Sequence, residues 1–224
     1  MIKNPIQNKA LRTARIGVFA ALYAATSLIP ISMFIGAPSF LALNLIITPA
    51  IALLLPPAEA LLTAFIGSLI GIWIAPYQAI FGPFTILLPT VGATVGSLAY
   101  HKTKLGSPIA AIFLIATMTA FVMKIVEFPY WIIPHAFALI LVLIALFKLT
   151  PRKIRVPIYT FIATICEQAT MMMFAVYLLL LPWIVFATAF PLMIYERIVG
   201  TVGGALLVYG VRKAAPKYFP TLEK

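Results

Sequence analysis

The sequence contains no aspartate, five glutamates, two histidines and a single cysteine among its 224 residues. Because Cys166 stands alone, an internal disulfide framework and a multi-cysteine metal site are both excluded. Neither a phosphate-binding G-x-x-x-x-G-K-[ST] loop nor a zinc-protease H-E-x-x-H motif occurs. We therefore predict a protein that is not an enzyme, with no catalytic residue, no bound metal and no cofactor.

Apolar residues dominate the chain. They make up 63% of it, while charged residues make up 9%, whereas soluble domains average about 25% charged residues. A soluble fold of this size cannot cover so much apolar surface. The composition predicts a multi-pass protein of the cell membrane, in contact with the lipid bilayer.

The net charge of +11 comes from basic residues that are grouped along the sequence. Basic side chains of membrane proteins concentrate on cytoplasmic loops. The charge is therefore a topology signal, and we expect no nucleic-acid partner. The four groups are Lys3, Lys9, Arg12 and Arg15; Lys102 and Lys104; Lys148, Arg152, Lys153 and Arg155; and Arg212, Lys213, Lys217 and Lys224.

The spacing of these groups predicts the number of spans. If all four are cytoplasmic, an even number of spans separates each group from the next. A helix needs roughly 20 residues to cross the bilayer, so residues 16–101 fit four spans, 105–147 two and 156–211 two. The sequence thus predicts an all-α transmembrane helix bundle of about eight spans, with cytoplasmic N- and C-termini. The predicted spans are about 11–30, 39–55, 58–75, 83–101, 108–126, 130–148, 156–181 and 185–211.

We predict a single transmembrane domain over residues 1–224, within which two segments resemble each other. The segment from Pro83 to Lys104 resembles that from Pro191 to Arg212 at a constant offset of 108 residues. A four-plus-four duplication, as in some transporters, would divide the chain into 11–104 and 105–213. Two unrelated glycine-rich helices would also look alike, so both readings stay open.

Three ionisable residues lie near the middle of predicted spans. Glu167 is about eleven residues into the seventh span, and Glu196 and Arg197 are about as deep in the eighth. A charge at that depth costs about 2.5–3.5 kcal/mol and is expected to face the bundle interior with a partner. Neighbouring residues on a helix point about 100° apart, so we expect Arg197 to pair with Glu167 rather than Glu196. Such a pair could hold two helices together or form part of a ligand site.

Polar residues nearer the predicted outer side extend this group. With the three ionisable residues they predict an outward-facing polar cavity, although each alone could serve as an ordinary interhelical hydrogen bond. Glu59, by contrast, is interpreted as a charge in the first turn of a helix. The predicted substrate-binding residues are Asn44, Gln78, His135, Glu167, Gln168, Glu196 and Arg197.

Four stretches of the chain resemble the substrate-binding S component of energy-coupling factor (ECF) vitamin transporters. The first, Arg15–Ala25, has an A-x-x-x-A strip like that family's first helix. The others resemble its second and third helices with a tight turn, its glycine-rich fourth helix and its last helix. These are Thr48–Gly67, Gly82–Tyr100 and Tyr195–Arg212. The match covers about 11–101 and 156–213, and residues 105–148 would add a helix pair to the usual six-helix core.

The resemblance implies a subunit that captures a small water-soluble, vitamin-like nutrient. It would work with a transmembrane T component and cytoplasmic ATPases, and its site would include the loop 31–40. The T component would contact the alanine strip of the first span: Ala20, Ala21, Ala24 and Ala25. Two alternatives remain open, a self-sufficient proton-coupled carrier using Glu167 or Glu196, and a membrane interaction protein that transports nothing.

Overall fold

The computed structural model describes residues 9–31, 42–147 and 149–219, and within them the chain is helical without a β-strand. Short 3₁₀ segments precede four of the helices, at Leu43–Ile46, Gly82–Ile86, Pro129–Ile132 and Arg152–Ile154. The α-helices are α1 Lys9–Ser27, α2 Ile47–Leu54, α3 Pro57–Ile74, α4 Leu87–His101, α5 Thr103–Lys124, α6 Ile133–Leu146, α7 Arg155–Tyr177 and α8 Trp183–Ala214.

Six helical segments in the described residues are long and apolar enough to cross a membrane, which indicates a multi-pass membrane protein. They begin within a few residues of the predicted starts of spans three to eight. The predicted count of about eight spans is not confirmed, because two of the predicted spans are not among these six. The helical stretch Leu43–Leu54 rises only about 18 Å at 1.5 Å per residue, against a hydrocarbon core of about 30 Å. Helix α1 is not among the six, since its basic residues lower its hydropathy.

The outer surface of the bundle carries large apolar side chains. Phe65 on α3 is 41% exposed, Ile112 on α5 is 67% exposed and Leu206 on α8 is 66% exposed. Exposed apolar side chains at this density would be unfavourable in water, because burial of apolar surface drives folding there. In a bilayer the same surface contacts lipid tails.

Glycines bring the helices that carry the polar residues close together. A Cβ atom at Gly92 of α4 would lie 2.6 Å from the Cβ of Glu167 on α7. A Cβ atom at Gly67 of α3 would lie 2.9 Å from the Cβ of Tyr23 on α1. Small residues permit this near contact of backbones in membrane bundles. Gly67 and Gly92 thus lie at helix contacts inside the bundle.

The described members of the four basic groups lie at one end of the bundle. Arg212, at the end of α8, donates hydrogen bonds to the Leu53 carbonyl (3.1 Å) and the Tyr100 hydroxyl (3.0 Å). Arg155, at the start of α7, lies over the Tyr100 ring, 5.3 Å from its centroid. We call this the basic end. Lys3, Lys148 and Lys224 lie outside the described residues.

Candidate functional site

A cavity of about 70 Å³ lies in the half of the bundle away from the basic end. Its wall combines the C-terminal part of α1, the segment leading into α2, the connection from α3 to α4, and the middles of α7 and α8. Six of the seven predicted binding residues line it. The full lining is Tyr23, Ala42, Asn44, Leu45, Gln78, Ile80, Phe81, Thr85, Leu88, Pro89, Glu167, Gln168, Met171, Glu196 and Arg197.

A hydrogen-bond network joins three chain segments beside this cavity. The Asn44 amide nitrogen donates to the Ser27 hydroxyl (2.9 Å) and to the Gln78 side-chain oxygen (2.8 Å). The Ser27 carbonyl in turn accepts hydrogen bonds from the Gln78 amide nitrogen and the Tyr77 hydroxyl, the latter at 2.7 Å. Carbonyls in the last turn of a helix lack partners within that helix. The side chains after α3 satisfy one of them and hold α1, α2 and α3 together at the cavity.

Arg197 pairs with its sequence neighbour Glu196, and the predicted pair with Glu167 was wrong. One terminal guanidinium nitrogen contacts a Glu196 carboxylate oxygen. The other donates to the Thr164 carbonyl on α7 at 2.7 Å. The two Cβ atoms do diverge on the helix, but both side chains are long enough to curl together. The hydrogen bond to the Thr164 carbonyl holds the Arg197 guanidinium where it contacts the Glu196 carboxylate.

Glu167 is left without an ion pair among the described residues. Its carboxylate lines the cavity, and the Oε2 atom has no hydrogen-bond partner there. Its charged neighbours are Arg197 and Glu196, and its polar neighbours are Tyr23 and Thr48. Because Glu196 makes the direct contact with Arg197, the cavity wall holds two carboxylates and one guanidinium, and burying the second carboxylate is costly in an apolar bundle.

The two remaining predicted residues differ in their placement. Gln168 lines the cavity and is 2% exposed, with a side-chain oxygen that makes no hydrogen bond in the described part of the chain. His135 does not line it. That imidazole is fully buried in α6, with Nδ1 3.2 Å from the Trp131 carbonyl oxygen one turn earlier. Hydropathy alone could not distinguish a histidine that faces its own helix backbone from one that faces a cavity.

The alanine strip of α1 divides between two faces. Ala20 and Ala24 are 2% and 4% exposed and pack inside the chain, where the Ala20 backbone lies against Gly67 of α3. They are therefore inaccessible to a partner, and the predicted partner surface is reduced to Ala21 and Ala25. Ala21 and Ala25 are exposed on the other side of α1.

The buried ion pair between Arg15 and Glu59 at the basic end was not predicted from the sequence. Glu59 lies in the first turn of α3, as predicted, but it is 4% exposed and accepts hydrogen bonds from the Arg15 guanidinium at 2.8–3.1 Å. Arg12 lies 3.6 Å from the same carboxylate. Arg15 and Glu59 are 44 positions apart, so only the packing of α1 against α3 reveals their ion pair.

Comparisons with known proteins identify no relative: no family model, curated protein or solved structure matches this chain. Among the described residues, no group of three or more histidine, cysteine or acidic side chains could hold a metal ion. The predicted loop 31–40 lies outside the described residues, apart from Ile31. The function must therefore be argued from the cavity itself.

Proposed function

We propose that this protein is a membrane-embedded subunit that captures a small water-soluble nutrient. The observation that carries the proposal is the convergence of Asn44, Gln78, Glu167, Gln168 and the Glu196–Arg197 pair on one cavity. Binding sites for small molecules combine an apolar enclosure with a few convergent polar groups. Intramembrane charges that face a cavity are typical of substrate and ion pathways.

The proposed orientation follows from the basic end. Basic residues favour the cytoplasmic side, so the cavity would lie toward the outside, where a nutrient is captured. Both termini would then be cytoplasmic. The described residues contain no nucleotide-binding loop, and the resemblance to ECF S components supplies the expected energy source, a T component with separate ATPases.

A ligand screen tests the capture function. The purified protein is heated in detergent with vitamins, amino acids and nucleobase precursors, one at a time, because a ligand that binds only the folded state raises the apparent melting temperature. We expect at least one compound to stabilise the wild type and to lose its effect in Glu167→Gln. Glu127→Gln is the matched control, since Glu127 is exposed and outside the cavity. If no compound stabilises the protein, capture is refuted and the interaction-protein alternative gains support.

The partner surface is tested by bulky substitutions on α1. Ala25→Trp is expected to abolish co-purification with a co-expressed T component and its ATPases. A large side chain on α1 would prevent the close approach of the T component to this helix. Ala116→Trp is the control: Ala116 is also exposed, but lies on α5. Equal recovery of the complex in both variants would show that α1 is not the contact.

A self-sufficient carrier is the second candidate, and the unpaired carboxylate of Glu167 favours it. A proton-coupling group must gain and lose a proton during transport, and Glu167 lacks the guanidinium partner that Glu196 has. Proteoliposomes that contain this chain alone distinguish the two functions. Uptake driven by a proton gradient and abolished in Glu167→Gln would establish the carrier, whereas binding without uptake would support the capture subunit.

A further inference from the structure

The cavity wall has an excess of one negative charge that the bundle does not neutralise. It contains two carboxylates and one guanidinium. Arg197 is committed to Glu196 and to the Thr164 carbonyl, while Glu167 Oε2 has no hydrogen-bond partner among the described residues. A ligand that brought one positive charge to Glu167 would offset the cost of burying this carboxylate.

The hydrogen-bonding capacity of the wall points the same way. Gln168 Oε1 is a second buried acceptor without a partner in the described chain. The Asn44 amide nitrogen, by contrast, already donates to Ser27 and Gln78. Glu167 Oε2 and Gln168 Oε1 are thus two buried acceptors that require N–H or O–H donors from a ligand, whereas Arg197 Nε is the one donor of the lining's charged groups without a partner among the described residues.

The size of the cavity restricts the ligand further. Its volume of about 70 Å³ is well below the roughly 300–1,000 Å³ of typical small-molecule pockets. A ligand that fits this form of the protein therefore has few non-hydrogen atoms at the Glu167 end.

From these three observations we infer that the ligand is an organic monocation whose charged group carries N–H donors, such as a primary ammonium or a guanidinium. Glu167 is the counter-ion, and Gln168 is an additional acceptor for the same group. The Glu196–Arg197 pair contributes no net charge to the cavity wall. This inference rests on the proposed capture function and names its substrate class.

Four small probes, matched in size, separate charge from hydrogen bonding. Methylguanidinium is a cation with N–H donors, tetramethylammonium is a cation without them, N-methylurea is neutral with them, and acetate is an anion. Each is titrated against the purified full chain at constant ionic strength, and the melting temperature is followed. We expect methylguanidinium to bind at least about tenfold more tightly than N-methylurea, because hydrogen bonds to charged groups are the stronger ones. Tetramethylammonium should fall between them, and acetate should have no effect.

Charge variants test the assignment to Glu167. In Glu167→Gln the ratio of the affinities for methylguanidinium and N-methylurea should fall to about one. In Glu127→Gln the affinity ratio should stay at the wild-type value. The double variant with Glu167→Gln and Glu196→Gln leaves Arg197 as the charged group of the wall and should bind acetate. If that double variant does not fold, the single Glu196→Gln variant replaces it, and it should lose the preference for cations because Arg197 then neutralises Glu167.

The outcomes distinguish the ligand class from the capture function. Preferential binding of N-methylurea or acetate to the wild type would overturn the monocation while capture stands. A preference for cations that survives in Glu167→Gln would overturn the role of Glu167. If no probe and no nutrient from the screen binds, both the class and the capture function are refuted.

Discussion

Breaking the ion pair between Arg15 and Glu59 should destabilise the packing of α1 against α3. Both side chains are 5% exposed, and two guanidinium nitrogens lie 2.8–3.1 Å from the carboxylate oxygens. Removing one partner of such a buried pair costs about 3–5 kcal/mol, because the other charge stays buried without compensation. We expect Glu59→Met to lower the free energy of unfolding by about 4–5 kcal/mol. Arg15→Met should cost about 3 kcal/mol, since Arg12 lies 3.6 Å from Glu59 and can partly replace Arg15, although exposed pairs contribute at most about 1 kcal/mol.

The double variant decides whether this reasoning is correct. With both charges replaced by methionine no buried charge remains, and stability should return to within about 1 kcal/mol of the wild type. Unfolding is followed by circular dichroism in detergent, where each single variant should melt about 6–20 °C lower, at about 2–4 °C per kcal/mol. The reasoning is refuted if either single variant loses less than about 1 kcal/mol, or if the two losses simply add in the double variant.

Four further substitutions test the packing of the bundle by the same melting assay. Gly106→Ala should destabilise strongly, by more than about 3 kcal/mol, because a Cβ there would lie 2.0 Å from the backbone of α4. Gly210→Ala should be nearly neutral, because nothing lies within 4 Å of its Cβ position, and equal effects would show that the close approach is absent. Ser97→Ala removes a buried hydrogen bond of 2.7 Å to the Leu55 carbonyl and should cost about 1 kcal/mol; an unchanged melting temperature would contradict that bond. Asn44→Ala removes two hydrogen bonds at the cavity and should cost about 1–3 kcal/mol, with ligand binding lost as well; retained binding would show that this network does not shape the site.

Composition and hydropathy were enough to predict the class of protein and most helix bounds. The predicted spans 58–75 and 83–101 correspond to the helical segments Pro57–Ile74 and Gly82–His101. Proline and long apolar runs act locally, so their effect can be read without knowing the rest of the fold. The second predicted span, 39–55, contains an apolar run of the same kind. Its described part forms only the short helix α2 and the 3₁₀ segment before it. Hydropathy does not distinguish this short helix from a full membrane span.

The polar residues of the site illustrate how far sequence alone can go. Their depth along the spans identified Glu167, Glu196 and Arg197 as unusual, because charges are costly in a bilayer wherever they are placed. Which carboxylate the arginine would choose depended on the Thr164 carbonyl of a neighbouring helix. That contact joins residues 33 positions apart, and no pattern in the sequence predicts it.

The sequence by itself determined that this protein is a helical membrane protein with its basic residues grouped and a few charges in its apolar spans. Those properties follow from local composition and from the cost of charge in lipid. The tertiary structure alone decided that Glu59 is neutralised by Arg15, that Ala20 and Ala24 are internal, and that Glu167 faces the cavity without an ion pair in the described part of the chain. Each of these depends on the rotation and contact of helices that are distant in the chain, where side-chain geometry rather than hydropathy decides which groups meet.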